Sequence, residues 1–131
     1  MAEGQRVWRA LTDPACLARW CAPDAHIRPY AGGSFRASVD RVTELEAHID
    51  VFEAGRRMRL ILLPSPTLPA ADSALVTDFI LEALPAGTIV RVLGSGVPGD
   101  EAWDVQFKRL RAGWERAMAR LKVFVEKGLD R

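Results

Sequence analysis

Glu44, Glu46, His48 and Asp50 stand at every second position of one short segment. In an extended strand, residues two apart share a side, so His48 and Asp50 would form an acid–base pair if that side lined an enclosed pocket. On an open sheet face the same pattern is a solvated surface, which is the commoner outcome.

Cys16, Cys21 and His26 are the nearest approach to a metal-ligand set. A structural zinc site needs four ligands with paired short spacings, and the only other histidine is His48, so no metal centre is expected. The two cysteines are five apart in a helical segment and point to different faces. A mutual disulfide is therefore disfavoured and both thiols are read as free. Gly94-Ser95-Gly96-Val97-Pro98-Gly99 is a literal G-x-G-x-x-G between a strand and a helix. Only 32 residues follow it, almost all helical, which leaves no second parallel strand to complete a dinucleotide-binding unit. Pro98 also removes a backbone donor that a phosphate would use. The segment reads as a strand-to-helix link, and no cofactor is expected.

The elements that position these residues follow from hydrophobic period. Val7, Trp8 and Leu11 have helical spacing over residues 5–12, and Asp13-Pro14 ends that helix and opens a second, with Asp13 as N-cap and Pro14 at its first position. Leu17 and Trp20 share a face of the second helix, which Pro23 stops. From Gly32 the period becomes two: Phe35, Ala37 and Val39 form one strand, and Leu45, Ala47, Ile49 and Val51 alternate with the acidic run in the next. MRLILL (58–63), residues 74–84 and TIVRVL (88–93) supply three more. Their short connections imply antiparallel hairpins. The proline-rich connection Pro64 to Asp72 is expected at a pocket rim. Trp103, Phe107, Leu110, Trp114, Met118, Leu121 and Val125 recur at steps of three and four, which predicts one long C-terminal helix with a single buried stripe. Between Val105 and Gly128 that helix carries seven cations against two anions. This is read as a solvated face, because basic helices bind anionic partners when backed by a wider positive field.

The whole chain has 131 residues, 49% of them apolar and 27% charged, with Lys plus Arg at 18 and Asp plus Glu at 17. That balance fits one soluble domain over residues 1–131 and excludes disorder, a collagen-like chain and a coiled coil. Nothing points to nucleic acid. The longest apolar run, Leu60 to Leu63, is far too short to span a membrane. The N-terminus has no apolar signal-peptide core, so a cytoplasmic location is expected.

Val7-Trp8-Arg9-Ala10-Leu11-Thr12-Asp13-Pro14 with Leu17 and Trp20, then Gly32-Gly33-Ser34-Phe35, Ser95-Gly96-Val97-Pro98 and the helix from Gly113-Trp114-Glu115 to Leu121 resemble the bacterial proteins named for similarity to the activator of Hsp90 ATPase. These belong to the SRPBCC superfamily of START-like and Bet v 1-like proteins. The resemblance implies an α+β helix-grip fold, a curved antiparallel sheet packed on a long C-terminal helix, with an apolar cavity between them. Trp8, Leu11, Trp20, Phe35, Trp103, Phe107, Leu110 and Trp114 are then the candidate ligand-binding residues. The expected function is to hold a hydrophobic small molecule without transforming it. The alternatives are an enzyme of the polyketide cyclase/dehydratase or hydrolase type, with Tyr30, His48, Asp50 or Arg59 as its polar groups, and a co-chaperone-like protein interaction in stress response. Relatives open with an edge strand, whereas MAEGQR is poor strand material, so the first edge strand is expected to be truncated or absent. Strand 88–93 would then be an exposed sheet edge through which a homodimer could form. A reading frame that starts upstream of Met1 is the competing explanation.

Overall fold

The computed structural model describes residues 3–22, 24–38, 44–64, 75–96, 99 and 101–129 of the chain. Helices α1 (Gly4–Thr12) and α2 (Pro14–Trp20) meet at Asp13, whose carboxylate accepts a hydrogen bond from the Cys16 N–H at 3.1 Å as the N-cap of α2. Pro14 has no N–H, so the carbonyl of Ala10, four residues earlier, loses its ordinary helical donor. The Trp20 indole replaces it, with Nε1 donating to the Ala10 oxygen at 2.7 Å. The two helices are thereby joined through a buried tryptophan.

Among the described residues six strands follow: β1 (His26–Ile27), β2 (Ser34–Ser38), β3 (Glu44–Glu53), β4 (Arg57–Leu62), β5 (Val76–Leu84) and β6 (Gly87–Ser95). They lie in sequence order in one sheet, and each neighbouring pair is antiparallel. The two-residue strand β1 is not anticipated by the sequence reading. Helix α3 (Glu101–Glu126) closes the chain. It ends in a Schellman arrangement: Gly128 takes a φ of +71°, and the Leu129 and Gly128 amides donate to the carbonyls of Phe124 and Val125.

This is the expected α+β helix-grip architecture. The inner sheet face, with Phe35, Ala37, Ala47, Ile49, Met58, Leu60 and Phe79, forms one core with Ala117, Leu121, Phe124 and Val125 of α3 and with Val7, Leu11, Leu17 and Trp20. Arg6 ties α1 to the end of α3 by donating to the Val125 carbonyl at 2.7 Å. Arg120, from the basic side of α3, caps α2 through the carbonyls of Trp20 and Cys21 at 3.0 and 3.1 Å. The cations of α3 are thus partly structural, since Arg111 is also paired, with Glu115 at 3.1 Å.

One register differs from the alternation read in the sequence. Ile49 faces Leu60 but Val51 faces Arg59, which leaves Asp50 as the extra residue of a β-bulge. Beyond it the faces exchange, and Phe52 rather than Val51 turns inward, where its ring meets Trp8 edge-on at 5.3 Å between centroids. Among the described residues no strand lies beyond β6, and residues 4–6, just ahead of Val7, begin α1 rather than a strand. The Asp40-Arg41 turn, the connection from Pro64 to Asp72 beyond Pro64 itself, and Val97-Pro98 of the glycine motif fall outside the described residues.

Candidate functional site

The inner side chains of β5 and β6 do not all reach α3. Between them lies a cavity of about 570 Å³, walled by Val90, Val92 and Gly94 of β6, Thr77 of β5, Leu62 of β4, and Phe107, Leu110, Trp114 and Met118 of α3. Such a volume is ample for a small organic ligand. Its walls are apolar because both contributing elements are amphipathic: the even-numbered residues of β6 face inward, and α3 turns one flank of its apolar stripe to them. Trp114 is held by edge-on contact with Phe79, at 5.2 Å between ring centroids, and by a tilted contact with Phe35 at 6.4 Å. Phe107 stands at the opening, 40% exposed. Arg111 and Glu115 form an ion pair on the rim.

Of the eight apolar residues singled out from the sequence, Phe107, Leu110 and Trp114 are brought together on this cavity. The other five are elsewhere. Leu11, Trp20 and Phe35 are buried in the core, Trp8 packs on Phe52, and Trp103 is 1% exposed without lining the cavity. The wall from β6 and Thr77 of β5 belong to the site but were not singled out. TIVRVL reads as a strand, but that does not say which of its residues meet space rather than a neighbour.

The polar candidates do not converge there. His48, Asp50 and Arg59 lie on the outer sheet face, and Tyr30, 53% exposed, lies in the β1–β2 connection. Arg59 grips the Asp50 carboxylate with both Nε and Nη2, the latter at 2.6 Å. That hydrogen bonding holds the carboxyl below its ordinary value of 3.8, opposite to what a general acid at neutral pH requires. Arg57–Asp78 at 3.0 Å, Arg91–Glu82 at 2.8 Å and Arg36–Glu44 at 3.8 Å continue a ladder of ion pairs over this face. It is a solvated surface of cross-strand pairs.

Cys16 and Cys21 are free and buried. Burial pushes the Cys21 thiol up to about 11, only partly offset by the nearby Arg120 charge. It stays protonated at neutral pH and is a poor nucleophile there. Among the described residues no group of three or more His, Cys, Asp or Glu side chains could hold a metal ion. No described helix is long and apolar enough to cross a membrane.

Residues 2–126 match the family model described as Activator of Hsp90 ATPase homolog 1-like protein. The chain belongs to this family. Solved structures of similar fold include protein MLL2253 from Mesorhizobium loti, at 23% identity and a TM-score of 0.81, covering 97% of this chain and 91% of that one. The Aha1 dimer from Colwellia psychrerythraea is 17% identical with a TM-score of 0.79, covering 97% of this chain and 90% of that one. An Activator of Hsp90 ATPase homolog 1-like protein from Aeromonas hydrophila is 23% identical, with a TM-score of 0.67, covering 99% of this chain and 89% of that one. No curated protein matches the sequence. At these identities the family members share the fold, while the cavity lining has to be read from this chain's own residues.

Proposed function

We propose that this family member binds a hydrophobic small molecule in the cavity between β5–β6 and α3. The observation that carries this reading is the cavity itself: about 570 Å³, walled chiefly by Leu, Val, Phe, Trp and Met side chains, with the charged residues among its described lining, Arg111 and Glu115, paired on the exposed rim. An apolar space of this size left unfilled forgoes packing that a core would gain, so its occupation by an apolar molecule is favourable. Trp114, half-buried on the wall, reports on it. Titration with a panel of aromatic and aliphatic ligands is expected to shift tryptophan emission, and Trp114→Phe to abolish most of the shift. Constant emission across the panel would refute the reading.

The working form we propose is a cytoplasmic homodimer paired along β6. Two buried free thiols suit a reducing compartment. The dimer rests on the ladder geometry. Leu84 and Gly87 close a two-residue hairpin and so form a hydrogen-bonded pair, from which the bonded pairs alternate along β6. The backbone groups of Val90 and Val92 therefore point away from β5, towards a side where no described strand lies. A second copy in antiparallel register would satisfy them across a two-fold axis. The Colwellia relative, itself described as a dimer, adds support. Val92→Pro removes one outward N–H without touching the β5–β6 ladder. In sedimentation at micromolar concentration the native protein should run at twice its 14.5 kDa chain mass and Val92→Pro at the single mass. A native protein that is monomeric, or a proline variant that stays dimeric, contradicts the interface.

A further inference from the structure

We propose that the molecule held in this cavity carries a neutral oxygen function, a hydroxyl or carbonyl, on the end that seats against Thr77; this rests on the reading of the cavity as a ligand site. Thr77 lies on the inner face of β5 and lines the cavity while only 7% exposed. No described group hydrogen-bonds to its hydroxyl. The contrast within the chain is direct, because the buried hydroxyl of Thr12 donates to the Trp8 carbonyl at 2.8 Å. A buried hydroxyl without a partner is destabilising, and valine would fill the same volume on a strand without that cost.

The space beside the hydroxyl is also kept open. Thr77 faces Gly94 across the β5–β6 ladder, at a non-hydrogen-bonded position where opposing side chains stand closest. A Cβ built at Gly94 would meet nothing nearer than the Val76 carbonyl oxygen at 3.9 Å, and Gly94 is not among the glycines with positive φ. Neither sterics nor backbone conformation demands glycine here. Its absent side chain leaves the cavity wall beside Thr77 bare.

The chemistry of the partner follows from the surroundings. Leu62, Val92, Leu110 and Met118 share the cavity wall, and the one cation on it among the described residues, Arg111, is on the rim and already paired with Glu115. An ionised group at Thr77 would be desolvated without a counter-charge, whereas a neutral oxygen can accept from or donate to the hydroxyl. An apolar molecule with one such oxygen satisfies Thr77 and fills the remaining space.

The test compares 2-naphthol with 2-methylnaphthalene, which have similar shape and differ in the oxygen, by calorimetric titration of the native protein, Thr77→Val and Thr77→Ser. Thr77→Val should lose about five- to tenfold in affinity for 2-naphthol while changing less than about twofold for 2-methylnaphthalene. Thr77→Ser should retain the preference of the native protein, and ligand-free Thr77→Val should melt at a higher temperature than the native protein. Equal losses for both compounds, or no loss for 2-naphthol, would overturn the proposal; so would an unchanged or lowered melting temperature of ligand-free Thr77→Val, which would show that a bound water already satisfies the hydroxyl. If neither compound binds the native protein, the cavity reading fails as well, and that result is distinct from binding without discrimination.

Discussion

Trp20→Ala is expected to cost about 3–5 kcal/mol of folding stability, the range for deleting a large aromatic ring from a packed core. Trp20 is 4% exposed and belongs to the main hydrophobic cluster. Its loss would empty that volume and also strand the Ala10 carbonyl, which has only the indole N–H to replace the donor that Pro14 lacks. A buried carbonyl left without a partner adds its desolvation penalty to the packing loss. Because small domains are stable by only about 5–15 kcal/mol, the variant should retain a minor part of the native margin. Urea denaturation would show this as a lowered midpoint at unchanged slope. A loss below about 1 kcal/mol would mean that the α1–α2 junction is not held as described.

Val90→Trp is expected to do the reverse, abolishing ligand binding while leaving the fold intact. Val90 is half-buried, and its side chain is part of the cavity wall facing α3. Overpacking is costly where the interior is full, but here the added ring has empty space to enter, so the stability change should stay within about 1 kcal/mol. The same ring takes the volume a ligand needs. Affinity for 2-methylnaphthalene should fall about 100-fold, equivalent to about 2.7 kcal/mol of lost binding energy. Unchanged affinity in this variant would place the binding site elsewhere. Together the two substitutions separate aromatic residues that build the core from positions that border the cavity, a distinction the sequence does not make.

Much of the fold was legible because it depends on period. Asp13-Pro14 marks a helix junction through capping chemistry, and the alternation in residues 34–38 and 44–49 matches strands that bury one face. What could not be read has local physical causes. A two-residue strand such as His26–Ile27 is too short to show any period. The bulge at Asp50 is hidden because the acidic and apolar residues go on alternating through it, while the backbone shifts register beneath them. Phe124 joins Val125 in the core while Val123 stays exposed; Val123-Phe124-Val125 is apolar throughout, and only the rotation of α3 against the sheet selects which residues are buried.

The candidate site was less legible for a related reason. Trp103 and Phe107 sit one turn apart on the same stripe, yet the first is buried away from the cavity and the second stands at its opening. Helical spacing gives a direction, whereas a cavity depends on what the facing sheet leaves unfilled. Thr77 gave no signal because threonine is ordinary in a strand. Its meaning comes from its surroundings: Gly94 opposite, and no hydrogen-bond partner among the described residues.

Whether an apolar ligand binds between β5–β6 and α3 can be read residue by residue in an NMR titration of the isotopically labelled protein with 2-naphthol. Shift changes should concentrate on Thr77, Val90, Val92 and Leu110 and on the Trp114 indole N–H, with the Trp8 and Trp20 indoles undisturbed. Changes centred on Trp8, Leu11 and Trp20, or on the outer-face residues His48, Asp50 and Arg59, would contradict it, as would no saturable change at all.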